Sequence, residues 1–286
     1  MNDDRKNTPE ETPEKPASAM PDLMKDKRRI AEGETFRFGC HKGLKCFTDC
    51  CGDINILLTP VDVLRLARRL EMKTEDFLDK HTQMPLTKDL HLPVIMLKLG
   101  PEPGKRCDFV SEDGCGVYED RPWACRMYPL GMAIPPSQAG KEMELAHFLF
   151  EDDFCKGHAE GQEWTLDSWK ADQGLEHQEE IEAGFRDIVS HPWFIGGQRQ
   201  LDPKRMEMFY TACYDLDNFR RFVYESKFLQ SFELDEDLVE RMKTDDEELL
   251  RFAFRWLRFA LFAEPTMTMT DSAIQKSTGA TIERES

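Results

Sequence analysis

The chain has 286 residues, 40% of them hydrophobic, and carries a formal net charge of −17. That is enough apolar material for a sizeable core in one large domain or two ordinary ones. The charge argues against phosphate-backbone binding as the task of the whole protein, so nucleic acid is not an expected partner, and no run of about 18 apolar residues is present to span a membrane.

Taken in chain order, residues 1–27 read as a disordered tail, polar and proline-rich and without the apolar stretch of a secretory signal. A cytoplasmic location is therefore expected. In a reducing compartment clustered thiols act as ligands or redox groups rather than disulfides. Residues 28–162 form an irregular, cysteine-rich region. Within it, Asp53–Leu58 reads as a short strand, and Thr59-Pro60 as the cap and first turn of a helix with Val61, Leu64, Leu66 and Leu70 on its apolar face. Thr74 is expected to cap a second short helix, and residues 92–99 read as a strand. From 163 to 264 the pattern turns helical. Leu166 to Ser190 is one long helix or two short ones. Pro203 to Glu225 is a strong helix, with Met206, Phe209, Tyr210, Cys213, Leu216 and Phe219 three and four apart, and Asp245 to Phe262 is another. Between Glu151 and His191 there are twelve acids against three Lys or Arg side chains. Residues 265–286, rich in Thr and Ser, read as a second tail. The expected fold is mainly α, with a small irregular α+β region around the cysteines and a helical domain or extension after it.

The chemistry lies in the cysteines. Cys40, Cys46, Cys50 and Cys51 fall within twelve residues; Cys107, Cys115, Cys125 and Cys155 follow, and Cys213 stands alone on an apolar helix stripe. Glycines flank several of them, allowing tight backbone folding around a site. Eight cysteines make two sets of four, which suits two zinc ions, two iron–sulfur clusters, or one cluster with spare thiols. Structural zinc usually draws on C-x2-4-C knuckles, and only Cys46 and Cys50 approach one. Adjacent side chains such as those of Cys50 and Cys51 diverge, which suits two metals or two corners of a cluster. An iron–sulfur cluster, 4Fe–4S, is favoured over zinc. Arg121 and Arg126 flank Cys125 and are read as compensating the charge of an anionic thiolate cluster. His41 and His158 are further candidates, His158 as a hydrogen-bond donor near Cys155. No pairing of one cysteine with a histidine marks a nucleophile.

The stretch "FGCHKGLKCFTDCC", followed by "LTPVDVLRLARRL", resembles the YkgJ-type CxxCxxCC cysteine-cluster family. The block "RCDFVSEDGCGVYEDRPWACRMYPLGM" is the more specific match, aligning Cys107, Cys115, Tyr118, Arg121, Pro122, Cys125, Arg126 and Pro129. "FCKGHAEG" brings in Cys155. The resemblance covers roughly residues 36–161 and implies a zinc- or iron-chelating domain. It departs from the family pattern in its first motif, here C-x5-C-x3-CC. Some distantly similar cysteine-cluster proteins are lysine N-methylases of flagellin carrying a 4Fe–4S cluster. A metal-dependent protein-modifying enzyme is therefore one alternative, although no glycine-rich loop for S-adenosylmethionine stands out; Gly196-Gly197 reads as ordinary loop. A zinc-stabilised interaction module is the other. The leading expectation is a metal-binding protein, in electron transfer or metal handling, with a protein or redox partner.

Overall fold

The computed structural model describes residues 27–85, 91–101, 104–133, 145–194 and 200–275. The expectations for residues 1–26, for Gly196-Gly197 and for 276–286 lie outside them. Among the described residues the fold is mainly helical, with short strands confined to residues 28–165. The early strands are β1 (Arg28–Ile30), β2 (Thr35–Phe38) and β3 (Leu57–Leu58), the last shorter than the sequence suggests. Then come α1 (Pro60–Arg69), α2 (Thr74–His81), β4 (Thr82–Gln83), β5 (Ile95–Leu97) and the hairpin β6 (Val110–Ser111) and β7 (Gly114–Cys115). The short α3 (Trp123–Met127), β8 (Leu130–Ala133), β9 (Ala146–Leu149) and β10 (Gln162–Thr165) complete this half. The rest is α4 (Leu166–Asp172), α5 (Glu176–Val189), α6 (Pro203–Cys213), α7 (Leu216–Glu225), α8 (Glu236–Arg241) and α9 (Asp246–Phe262). Three small antiparallel arrangements frame the cysteines: β1-β9-β8, β3-β5-β4, and β2 paired with β10.

The helix starts follow capping chemistry. Thr59 Oγ accepts from Asp62 N and Asp62 accepts from Thr59 N, a reciprocal box that begins α1 where the sequence places it. Thr74 behaves differently from expectation. It is the first helical residue, and both its amide and its hydroxyl donate to Asp217 Oδ2, at 2.7 and 2.9 Å, tying α2 to α7. Leu166–Ser190 resolves into α4 and α5. Pro203–Glu225 is two helices, because Asp215 caps a new start by accepting from Asn218 N. Periodicity alone does not reveal that break, since the apolar stripe continues through it.

One large apolar core joins the two halves. It holds Leu58, Val63, Leu66, Phe77 and Ile95 together with Phe209, Phe219, Leu250 and Leu257. Side chains of this size, when fully buried, each stabilise the fold by roughly 1.5–3 kcal/mol before conformational entropy is counted. Cys213 is buried in this core, on the stripe expected of it. A second, smaller core packs Ile30, Phe36, Phe38, Met127, Leu130, Leu149, Trp169 and Leu175. Residues 265–275, read from sequence as the start of a tail, run back along 231–233: Glu233 N donates to Thr268 O and Thr270 N to Ser231 O, and Met267 is buried. Among the described residues no helix is long and apolar enough to cross a membrane.

Candidate metal centre

All eight cysteines singled out in the sequence line one hollow of about 500 Å³, between the two cores. Four chain segments meet there. The first, residues 41–51, is a succession of tight turns: Leu44 N donates to His41 O, Phe47 N to Leu44 O, Asp49 N to Cys46 O, and Cys51 N to Thr48 O. It ends in a 3-10 turn over Asp49–Cys51 that presents the vicinal pair. The second runs from Cys107 into the β6–β7 hairpin, where Val110 lies opposite Cys115. The third is α3, which carries Cys125. The fourth is the turn in which Cys155 N donates to Asp152 O.

Glycines make the closest of these approaches possible. Gly39 N donates to Gly157 O at 3.0 Å. A Cβ on Gly39 would stand 2.8 Å from Gly161 Cα, and one on Gly157 would stand 2.8 Å from Gly39 O. The backbone beside Cys40 thus lies directly on the backbone that follows Cys155. Lys156 N then donates to Cys46 Sγ at 3.1 Å.

Electrostatically, the thiols burden one another. Burial, then the neighbouring Cys50, Cys155 and Cys46, pushes the Cys40 thiol up to about 11. Burial and Cys107 likewise raise Cys125. Cys50 is the exception: a hydrogen bond from the Cys51 side chain lowers it to about 7, and Arg106 adds to the effect, while the same bond raises Cys51. A cation would relieve this mutual repulsion, and its binding would release protons. Among the described residues, no group of three or more His, Cys, Asp or Glu is already drawn together tightly enough to hold an ion. The sulfurs stand around the walls of the hollow.

The two arginines read from sequence separate. Arg121 lines the hollow, stacks at 3.5 Å on the Tyr118 ring, donates to Gln173 Oε1 and offsets a part of the rise at Cys40 and Cys125. Arg126 is buried and donates to the carbonyls of Gln173 and Gly174 and to Gln178 Oε1; it is not among the residues lining the hollow. Its placement follows from α3: Arg126 points into the helical part on the turn that aims Cys125 at the hollow. His41 is exposed and accepts from Gly43 N. The His158 ring packs on Phe38, with a buried Nε2 that has no partner.

Three contributors escape a sequence reading. Arg106 donates to the carbonyl and hydroxyl of Thr48, at 3.1 Å each, pinning the turn that carries the vicinal pair. The Tyr128 hydroxyl is buried beside Cys155 without a well-formed hydrogen bond. Asp62 lies at the base of α1 and accepts from Trp123 N at 2.7 Å, which fixes the start of α3 and hence Cys125. Only the reciprocal Thr59/Asp62 capping pattern hints at Asp62, and it says nothing of Trp123.

Asp62 belongs to a buried polar network. Gln178 Nε2 donates to Asp62 Oδ1 at 2.8 Å and to Glu182 Oε1 at 2.9 Å, and the Thr59 hydroxyl also donates to Glu182. Burial raises both carboxyls. Two backbone amides and Gln178 offset this at Asp62, whereas burial and the Asp62 charge push Glu182 to about 8. The folded protein therefore keeps a proton that the unfolded chain loses near 4.5. This contribution to stability is whole below about 4.5 and is lost as pH rises through about 8. Wild type is thus expected to lose stability relative to Glu182→Gln across that window, by at most about 1.4 kcal/mol per pH unit. Urea unfolding of both proteins at several pH values checks this; a difference independent of pH would mean that Glu182 titrates as in the unfolded chain.

The hollow gathers eight thiols, soft donors of the kind that suit zinc and iron. Residues 39–156 match the family model CxxCxxCC, described as "Putative zinc- or iron-chelating domain". That stretch contains all eight cysteines of the hollow. No curated protein and no solved structure matches the chain.

Proposed function

We propose that the protein chelates metal through these cysteines and carries an iron–sulfur cluster, with zinc as the rival occupant. The convergence of eight thiols on one hollow of about 500 Å³ carries the reading. The donor set fits: thiolate ligation suits both metals. A four-coordinate zinc ion needs four sulfurs about 2.3 Å from one point. Thiols spread around the walls of a wider hollow favour a guest of several atoms. Arg121, between Cys40 and Cys125, supplies positive charge for an anionic centre, and Lys156 N supplies a donor to sulfur. The bound group would supply electron transfer if it is iron–sulfur, or structural support if it is zinc. Ile54, Tyr118 and Phe154 stand exposed on the lining of the hollow and offer a redox or protein partner an apolar rim.

Anaerobic purification followed by absorption spectroscopy and iron, zinc and acid-labile sulfide analysis tests the reading. Broad thiolate-to-iron absorption near roughly 400 nm, with matching iron and sulfide, is expected for clusters of this kind. Colourless protein with stoichiometric zinc would replace the cluster by zinc. Protein that takes up neither metal would overturn the reading.

A further inference from the structure

The eight thiols are not equivalent in space. Cys40 and Cys155 are brought together by the Gly39–Gly157 backbone contact, and Cys46 joins them through the Lys156 amide. Cys107 is tied elsewhere: its amide donates to Cys51 O at 2.7 Å, its carbonyl accepts from Val110 N, and Val110 pairs with Cys115. The two cores divide the thiols in the same way. Cys107, Cys115 and Cys125 pack against the large core, and Cys155 packs against the small one.

We propose that the hollow holds two four-thiolate centres side by side, one on Cys40, Cys46, Cys50 and Cys155 and the other on Cys51, Cys107, Cys115 and Cys125, with the vicinal pair giving one ligand to each. The inference rests on the chelating reading above and goes beyond it in the number of centres and in which thiols serve each. Each set is a four-sulfur donor set of the kind that takes zinc or an iron–sulfur cluster. The 3-10 turn over residues 49–51 explains why the two ligands can be adjacent: successive side chains on so tight a turn diverge, one towards each group. Arg121 lines the hollow that both sets share.

Metal stoichiometry of the full-length chain is the test. Anaerobic protein is loaded with cobalt(II), a spectroscopic stand-in for zinc, and separately with ferrous iron and sulfide. Bound metal per chain is then measured. Wild type is expected to hold two centres. Cys40→Ser, Cys50→Ser, Cys51→Ser and Cys107→Ser should each leave one. Cys40→Ser with Cys155→Ser should still leave one, because both belong to one set. Cys40→Ser with Cys107→Ser should leave none. Cys213→Ser should keep both. A single centre in wild type, or one centre surviving in the Cys40/Cys107 double variant, would overturn the division while leaving metal chelation standing. No uptake of either probe by wild type would overturn the chelating reading and the inference together. The wild-type stoichiometry does not depend on any variant folding.

Discussion

Gly161→Ala is expected to destabilise the protein by about 3 kcal/mol or more and to lower its metal content. Two effects add. Gly161 sits at φ +76, where a side chain costs on the order of 1–2 kcal/mol. A Cβ there would also lie 2.3 Å from Phe38 O and 2.7 Å from Gly39 Cα, both backbone atoms that no rotamer change can move aside. The strain can be relieved only by separating β2 from β10, which are paired through Phe38 and Gln162. That separation draws Cys40 away from Cys155. Urea unfolding and elemental analysis check both parts. Stability within about 0.5 kcal/mol of wild type, the range of an innocuous surface change, would mean that the two backbones do not meet so closely.

Asp62→Ala is expected to be comparably costly, at about 3 kcal/mol. It removes an acceptor from three donors at once, leaving Thr59 N and Trp123 N without a partner and Gln178 Nε2 with Glu182 alone. Each buried donor left unmade costs roughly 1–3 kcal/mol. Removing a buried carboxyl beside Glu182 returns some of that, because two acids with raised pKa no longer share the space. The lost donors win, because Thr59 N and Trp123 N are orphaned and Gln178 Nε2 keeps only its bond to Glu182, while only one desolvated group is relieved. Loss of the Trp123 contact also frees the start of α3, so metal held through Cys125 should weaken while the Cys213 environment is unchanged. Asp62→Asn separates the two effects. It keeps the volume and one acceptor oxygen, so it should fall between wild type and alanine in denaturant midpoint and in metal retention. If Asp62→Ala unfolds at the wild-type midpoint, the network does not support α3.

How much of this was legible beforehand depends on the range of the interactions involved. The start of α1 was readable because Thr59, Pro60 and Asp62 settle it among themselves within one turn. The burial of Cys213 was readable because a helical stripe repeats every three or four residues. The eight cysteines were readable as a set because residue type alone marks a soft donor, and the structure then brings all eight to one hollow. Local signals failed where a distant residue took over. Thr74 has the side chain of a cap, but Asp217 engages it from 143 residues away. The stripe through Pro203–Glu225 continues across a break, because Asp215 ends one helix and begins the next without altering the apolar pattern.

Arg121 and Arg126 make the same point within the site. They flank Cys125 in sequence, yet one lines the hollow and the other is buried against Gln173, Gly174 and Gln178. Sequence by itself determined the donor chemistry and the acidic, mainly helical character of the chain, since both follow from residue type and short-range periodicity. Tertiary structure alone decided which thiols are neighbours. That depends on a glycine contact between residues 39 and 157–161, on an amide from Lys156 and on two separate cores, and such contacts between distant segments leave no periodic trace in the chain.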